Sequence, residues 1–135
     1  MNNKITICQG ISGSGKSTWS NAQAGALVFS TDDYFMVDGV YRFEGAKLGE
    51  AHAYNLGRAE GAMMAGAAHV IIDNTNTQRW HYAKYILAAE ILGYAVEFKV
   101  FECDIETAFA RNTHSVPKEA IERMANQLKD CLSKS

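Results

Sequence analysis

A glycine-rich run near the start of the chain has the residue types and spacing of a phosphate-binding loop. The run GISGSGKS begins at Gly10 and ends at Ser17, and it matches the pattern G-x-x-x-x-G-K-[ST]. Glycines let backbone N–H groups turn inward on a phosphate, the lysine reaches the outer phosphates, and the final hydroxyl ligates Mg²⁺. The alternative is a glycine-rich turn with a chance lysine. The predicted ATP-binding residues are Gly10, Ser12, Gly13, Ser14, Gly15, Lys16, Ser17 and Thr18.

An acidic residue at the end of a strongly apolar run is a candidate magnesium ligand. Asp73 directly follows Val70-Ile71-Ile72, the position at which P-loop proteins carry a carboxylate that holds Mg²⁺ directly or through water. The alternative is a carboxylate that begins the polar turn at residues 73–76. The predicted metal ligands are therefore Ser17 and Asp73.

Two adjacent acids follow another short apolar run. Asp32 and Asp33 lie just after residues 26–30, which we predict to be a strand ending at the same sheet edge as the glycine-rich run. Adjacent carboxylates seldom face the same way, so we expect only one to point into the cleft. A carboxylate there can accept the proton of an attacking hydroxyl. The alternative is a helix or turn cap, which fits Asp33 better than Asp32.

The pattern of apolar residues predicts the elements that position these side chains. Alternating strands and helices favour right-handed crossovers and a mostly parallel sheet with helices on both faces, the α/β fold of P-loop NTPases. Ligands of such sheets bind at the carboxyl ends of the strands. We predict strands at residues 4–9, 26–30, 69–73 and 95–102, and helices at 16–24, 47–66, 77–92, 105–111 and from Pro117 onward.

Two stretches interrupt this alternation. Residues 35–43 contain Asp38-Gly39 between short apolar runs, which predicts a tight β-hairpin projecting from the sheet. Residues 112–116 are polar and lie between two predicted helices. We interpret them as a mobile cover.

Length and composition predict one globular domain over residues 1–135, because the chain is too short for a second core. The three cysteines favour neither a disulfide framework nor a zinc site. A net charge of −2 argues against a protein that coats long duplexes, but it leaves open a nucleic-acid end held by local cations. No signal peptide or run of ~18 apolar residues is present, so we expect a cytoplasmic protein without a membrane partner.

Taken together, several stretches resemble the kinase domain of 5′-polynucleotide kinases, as found in phage polynucleotide kinases and in proteins of the NEDD4-binding protein 2 type. The matching stretches cover nearly the whole chain, and their combination is far more specific than the glycine-rich run alone. They are GISGSGKSTW at 10–19, STDDYF at 30–35, DGVYRF at 38–43, LGEAH at 48–52, VIIDNTN at 70–76 and RNTHSVP at 111–117.

The resemblance implies a role for particular residues. It makes Lys16, Ser17 and Thr18 ligands of ATP phosphate and Mg²⁺, and it makes Asp32 the general base. Arg111 falls at the start of the family's lid, where arginines stabilise charge on the transferring phosphoryl group. A planar fork of donors suits arginine to that role, and the alternative for Arg111 is a surface cation at a helix end. The predicted catalytic set is Lys16, Asp32 and Arg111.

Departures from the family pattern leave the acceptor open. Phe35 stands where phage enzymes have an arginine that contacts the acceptor phosphate, and the lid is shorter and lacks a second arginine. Phage enzymes also join a phosphatase domain to the kinase, and we expect none within these 135 residues. The implied acceptor is the 5′-hydroxyl of RNA or DNA. The alternatives are a nucleoside or other small hydroxyl substrate, or an ATP-binding switch that transfers to no hydroxyl.

Four further residues have both a functional and a structural interpretation. His52 is expected in the core or at its edge, with an acceptor-site role as the alternative. Arg42 is either a surface cation or a ligand of the acceptor phosphate. Trp80 and Tyr41 are candidates for stacking on a base, although we expect Trp80 to be buried in the core.

Overall fold

The computed structural model describes residues 2–112 and 115–134. Strands and helices alternate along the chain as the sequence predicts. In chain order the elements are β1 Lys4–Gln9, α1 Lys16–Asn21, β2 Leu27–Phe29, a 3₁₀ helix Thr31–Phe35, β3 Met36–Val37, β4 Val40–Tyr41, a 3₁₀ helix Gly45–Lys47, α2 Leu48–Met64, β5 His69–Ile72, α3 Arg79–Leu92, β6 Ala95–Val100, α4 Ile105–Ala110 and α5 Lys118–Ser133.

The central sheet has four parallel strands in the order β2-β5-β1-β6. Ile5 and Ile7 of β1 lie opposite Val70 and Ile72 of β5, and all four side chains are fully buried. Cys8 and Ile71, which alternate with these residues along the two strands, are also fully buried, so both faces of β1 and β5 are covered. The predicted parallel α/β sheet is confirmed.

Helices cover both faces of the sheet. The core on one face combines Ile5 and Val70 with residues of α2 and α3, including Met63 and Tyr85. On the other face the thiol of Cys8 lies 3.7 Å from the hydroxyl of Ser20 in α1. The sheet is therefore packed between helices, and the loops that carry the candidate site residues follow the ends of its strands.

A small antiparallel hairpin follows β2, as Asp38-Gly39 predicts. Met36 pairs with Tyr41, and Val37 pairs with Val40. Asp38 and Gly39 have φ values of 51° and 78°, the left-handed pair that a tight two-residue turn requires. The hairpin brings Tyr41 back toward the 3₁₀ helix that begins at Thr31.

One aromatic residue that we expected in the core lies on the surface. Trp80 is 63% exposed, so its predicted burial is wrong. Tyr82 and Tyr85 form part of the buried face of α3, and Trp80, two residues before Tyr82, is rotated by about 200° around the helix.

Of the predicted cover at 112–116, Thr113 and His114 lie outside the described residues, and the side-chain amide of Asn112 donates to the carbonyl of Val116. Its mobility stays a prediction.

No helix in the described parts of the chain is long and apolar enough to cross a bilayer.

Candidate functional site

The glycine-rich loop leaves β1 after Gln9 and enters α1 at Lys16. Gly13 and Gly15 have φ values of 84° and 102°, a conformation that residues with a Cβ rarely adopt. A Cβ at Gly13 would also collide with the carbonyl oxygen of Ala108 in α4. Glycine at position 13 is thus required twice, once for backbone geometry and once for the packing of α4 on the loop.

The side chain of Lys16 folds back over this loop. Its Nζ donates to the carbonyl of Ile11 at 2.9 Å and lies 3.5 Å from the hydroxyl oxygen of Ser14. Burial lowers the pKa of Lys16, and the carboxylate of Asp73 opposes that effect. A desolvated ammonium beside a loop of backbone N–H groups is well placed to bind a phosphate anion.

The two predicted metal ligands are in contact. The hydroxyl of Ser17 donates to Oδ2 of Asp73 at 2.8 Å, and Asp73 is buried at the end of β5. Burial raises the pKa of Asp73, while the Ser17 hydroxyl and the Lys16 ammonium lower it. Magnesium binds through few protein oxygens and keeps its other positions for water and substrate phosphates. A hydroxyl and a carboxylate therefore fit this ion.

A cleft of about 550 Å³ opens over the loop. It brings Arg111, at the end of α4, to the same cavity as Lys16, although 95 positions separate them in the sequence. Trp19, which sequence reasoning did not select, contributes an aromatic wall. The lining residues are Gly13, Gly15, Lys16, Ser17, Thr18, Trp19 and Arg111.

Three of the predicted ATP-binding residues do not line this cleft in the described structure. Ser12 turns its hydroxyl toward the sulfur of Met124 at 3.5 Å, whereas Ser14 is buried beside Lys16. Gly10 lies at the base of the loop, where its N–H donates to the carbonyl of Thr75. These positions shape the loop, and their contact with ATP stays a prediction.

A second cleft, of about 340 Å³, adjoins the first. Ser17 lines both, and Asp73 lines the second. The lining residues of the second cleft are Ser17, Asn21, Val28, Ser30, Asp32, Asp33, Met36 and Asp73. Both adjacent acids thus line it, because both belong to the 3₁₀ helix Thr31–Phe35. The expectation that only one carboxylate points into the cleft stays a prediction.

The two adjacent acids nevertheless have different partners. Asp33 closes a capping box with Ser30, and its Oδ2 accepts from Nη2 of Arg58 at 2.8 Å. Oδ1 of Asp32 accepts from the hydroxyl of Tyr41 at 3.1 Å. Burial, with the Asp32 carboxylate beside it, raises the pKa of Tyr41 well above its usual value, so the phenol stays protonated and remains a donor.

Comparison with known proteins assigns the chain to a family. A family model named AAA_33 and described as an AAA domain matches residues 5–133.

The chain belongs to this family.

Two kinds of relative support the assignment of this AAA domain. Human NEDD4-binding protein 2 is 38% identical over 130 residues, which are 89% of this chain and 7% of that protein. A chain in a structure of the Pnkp1/Rnl/Hen1 RNA repair complex superposes with a TM-score of 0.79 at 23% identity, over 99% of this chain and 46% of that one. A gluconokinase from Sinorhizobium meliloti 1021 superposes with a TM-score of 0.61 at 18% identity, over 93% of this chain and 74% of that one.

These comparisons confirm the P-loop kinase fold and the resemblance to NEDD4-binding protein 2. The chain spans only a small part of that relative and about half of the repair-complex chain. The P-loop kinase fold implies nucleotide binding, and the fold and family together support ATP-dependent phosphoryl transfer.

In this AAA domain Phe35 has a structural role where phage enzymes carry an arginine. Its ring is buried and packs at 5.0 Å from the ring of Phe43 and 6.4 Å from that of Tyr41. Arg42 is exposed, and its backbone N–H donates to the carbonyl of Phe35. Phe35 thus fixes the hairpin that carries Tyr41.

Arg58 of α2 is a site residue that sequence reasoning missed. Besides Asp33, its Nη2 donates to the carbonyl of Ser30 and to the amide oxygen of Asn55. The guanidinium therefore ties the acidic turn to α2. The spacing of Asn55 and Arg58, one helical turn apart, was an available signal, but nothing in the sequence connects α2 with Asp33.

Proposed function

We propose that this chain transfers the γ-phosphoryl group of ATP to a hydroxyl, namely the 5′-hydroxyl end of RNA or DNA. The meeting of the two clefts at Ser17 carries this proposal. A transferase must hold donor and acceptor side by side, and here the glycine-rich loop lines one cleft while the carboxylates of Asp32, Asp33 and Asp73 line the other. ATP would occupy the first cleft, and the acceptor would enter the second.

Donor binding follows from the residues around the first cleft. Backbone N–H groups of the loop and the Lys16 ammonium would bind the phosphates, and Thr18, which also lines the cleft, would assist them. Ser17 and Asp73 would hold Mg²⁺, which supplies charge neutralisation on the phosphate oxygens. Arg111 would contact the γ-phosphoryl oxygens, where its planar fork stabilises charge that builds up in transfer.

The proposed chemical step uses Asp32 as general base. The acceptor hydroxyl would give its proton to the Asp32 carboxylate as its oxygen bonds to the γ-phosphorus. The bond from that phosphorus to the β–γ bridging oxygen breaks, and ADP leaves with the electron pair. Tyr41 holds one oxygen of Asp32, which orients the carboxylate toward the hydroxyl.

The choice of a polynucleotide acceptor rests on the relatives. The fold shared with a chain of an RNA repair complex favours a nucleic-acid end, and so does the resemblance of the sequence motifs to those of 5′-polynucleotide kinases. A small metabolite is the second candidate, because the gluconokinase shares the fold and Phe35 replaces the acceptor-site arginine of phage enzymes. A switch that only hydrolyses ATP is the third.

A panel of hydroxyl acceptors with γ-labelled ATP tests the proposal. The panel contains a 5′-hydroxyl RNA, a 5′-hydroxyl DNA, the same strands with a 5′-phosphate, a nucleoside and gluconate. We expect label on the 5′-hydroxyl strands alone. Label on the nucleoside or gluconate but on no strand would mean that the acceptor is a small metabolite and not a polynucleotide. ATP hydrolysis that no acceptor increases would favour the switch.

A further inference from the structure

An exposed group of aromatic rings lies at the start of α3. Trp80 is 63% exposed, and its ring centroid is 4.2 Å from that of His81 and 6.1 Å from that of His52 in α2. The two imidazoles are nearly parallel, with centroids 6.2 Å apart. The indole Nε1 donates to the side-chain oxygen of Gln78, which restrains the ring. We call Trp80, His81 and His52 the ring platform.

The ring platform adjoins the proposed acceptor cleft. Nδ1 of His52 lies 3.5 Å from the hydroxyl of Thr31, the residue before Asp32. The backbone N–H of Thr31 donates to the side chain of Asn74, the residue after Asp73. The contacts thus run from His52 through Thr31 to Asn74. Thr31 and Asn74 are the sequence neighbours of Asp32 and Asp73, which both line the cleft.

The charge state of the ring platform favours stacking over phosphate binding. Burial lowers the pKa of His52, and burial together with His52 lowers the pKa of His81 to about 4. Both imidazoles are thus uncharged at neutral pH and present rings rather than cations. The chain as a whole has a net charge of −2, so long-range attraction for a polyanion is weak and short-range contacts must contribute more of the affinity.

We propose that the ring platform stacks on a base of the single-stranded nucleic acid whose 5′-hydroxyl lies at Asp32. The inference rests on the proposed function and names how that acceptor is held. An exposed indole offers a flat face to any base, so the contact tolerates sequence. Lys84 is exposed on the same side of α3, four residues beyond Trp80, and adds a cation beside the stacked strand.

Replacing Trp80 tests this inference with matched controls on the same helix. Trp80→Ala should raise the KM for a 5′-hydroxyl oligonucleotide at least ~10-fold, the scale of one lost base–aromatic stack. The kcat and the KM for ATP should stay within about 2-fold. Trp80→Phe keeps a stacking ring and should retain most of the affinity. Leu87→Ala removes an equally exposed apolar side chain from α3 and should change nothing.

Fluorescence separates this inference from the proposed function. Trp19→Phe leaves Trp80 as the sole tryptophan, and we expect a 5′-hydroxyl oligonucleotide without ATP to quench it. Quenching would support the platform even if no strand were phosphorylated. If Trp80→Ala still labels 5′-hydroxyl strands and its KM for the oligonucleotide is unchanged, the stacking role of the ring platform is wrong. The proposed kinase activity would then stand. Absence of both quenching and labelling would overturn both.

Discussion

At the residue scale, the contact between Tyr41 and Asp32 links the hairpin to the proposed chemistry. A carboxylate that is to accept a proton must point at the hydroxyl, and the phenol at 3.1 Å fixes one of its oxygens. Asp33, next in sequence, is held by Arg58 and by its capping box instead. The two neighbouring acids therefore have different partners, and we expect different functions for them.

Removing the phenol tests the orientation of Asp32. Tyr41→Phe should lower kcat about 5- to 10-fold without changing the KM for ATP, because a misdirected base loses its near-attack geometry. Tyr34→Phe is the matched control, since that hydroxyl donates to exposed Glu50 rather than to Asp32. Steady-state kinetics measure kcat and the KM for ATP of both variants. Equal effects of the two substitutions would mean that Tyr41 does not position the base.

At the element scale, the packing of α4 on the glycine-rich loop positions Arg111. The backbone of Gly13 lies against Ala108, and the guanidinium three residues further on reaches the donor cleft. No local pattern joins these elements. Tertiary packing alone converts a cation at a helix end into a cleft residue.

Substitution of Arg111 tests this placement. Arg111→Ala should lower kcat at least ~10-fold with a smaller effect on ATP affinity, because an arginine that meets the transferring group acts mainly in the transition state. Arg123→Ala removes an exposed arginine from α5 and serves as the control. An unchanged kcat at saturating ATP would assign Arg111 to the surface.

The start of α3 gives a prediction about pH. His81 has its pKa lowered from 6.5 to about 4, so the unfolded chain binds the proton first and the fold loses stability as pH falls through that window. His81→Gln removes the titration but keeps a side chain that can close the capping box. Between pH 7 and pH 4 the melting temperature should fall less for the variant than for the wild type. Parallel loss in both proteins would contradict this.

Local sequence patterns predicted the strands and helices well, and β1 and the hairpin turn are the best cases. They also predicted the loop at Gly10 and the carboxylate at Asp73, since the geometry of each is encoded within a few residues. Contacts across the fold were not predictable. The exposure of Trp80 depends on which face of α3 meets the sheet, and the bond from Arg58 to Asp33 depends on where α2 crosses the acidic turn.

At the scale of the whole molecule, the sheet order assembles the site. Strands β2, β5 and β1 are neighbours, and their carboxyl ends lead to Asp32, Asp73 and the glycine-rich loop respectively. The proposed base, metal ligand and phosphate loop therefore lie in a row across three adjacent strands. This row is the general ligand position of parallel α/β sheets, and it places Asp73, the proposed magnesium ligand, between the glycine-rich loop and Asp32.

The central claim is that Asp32 is the general base for direct phosphoryl transfer from ATP to a 5′-hydroxyl end, and label transfer with Asp32→Asn tests it most directly. The amide keeps the size of the side chain but accepts no proton. Transfer to a 5′-hydroxyl strand should fall roughly 10²-fold or more, while titration shows unchanged binding of Mg²⁺ and ATP. Asp33→Asn should be much milder. Wild-type transfer by Asp32→Asn, or greater damage from Asp33→Asn, would contradict the account.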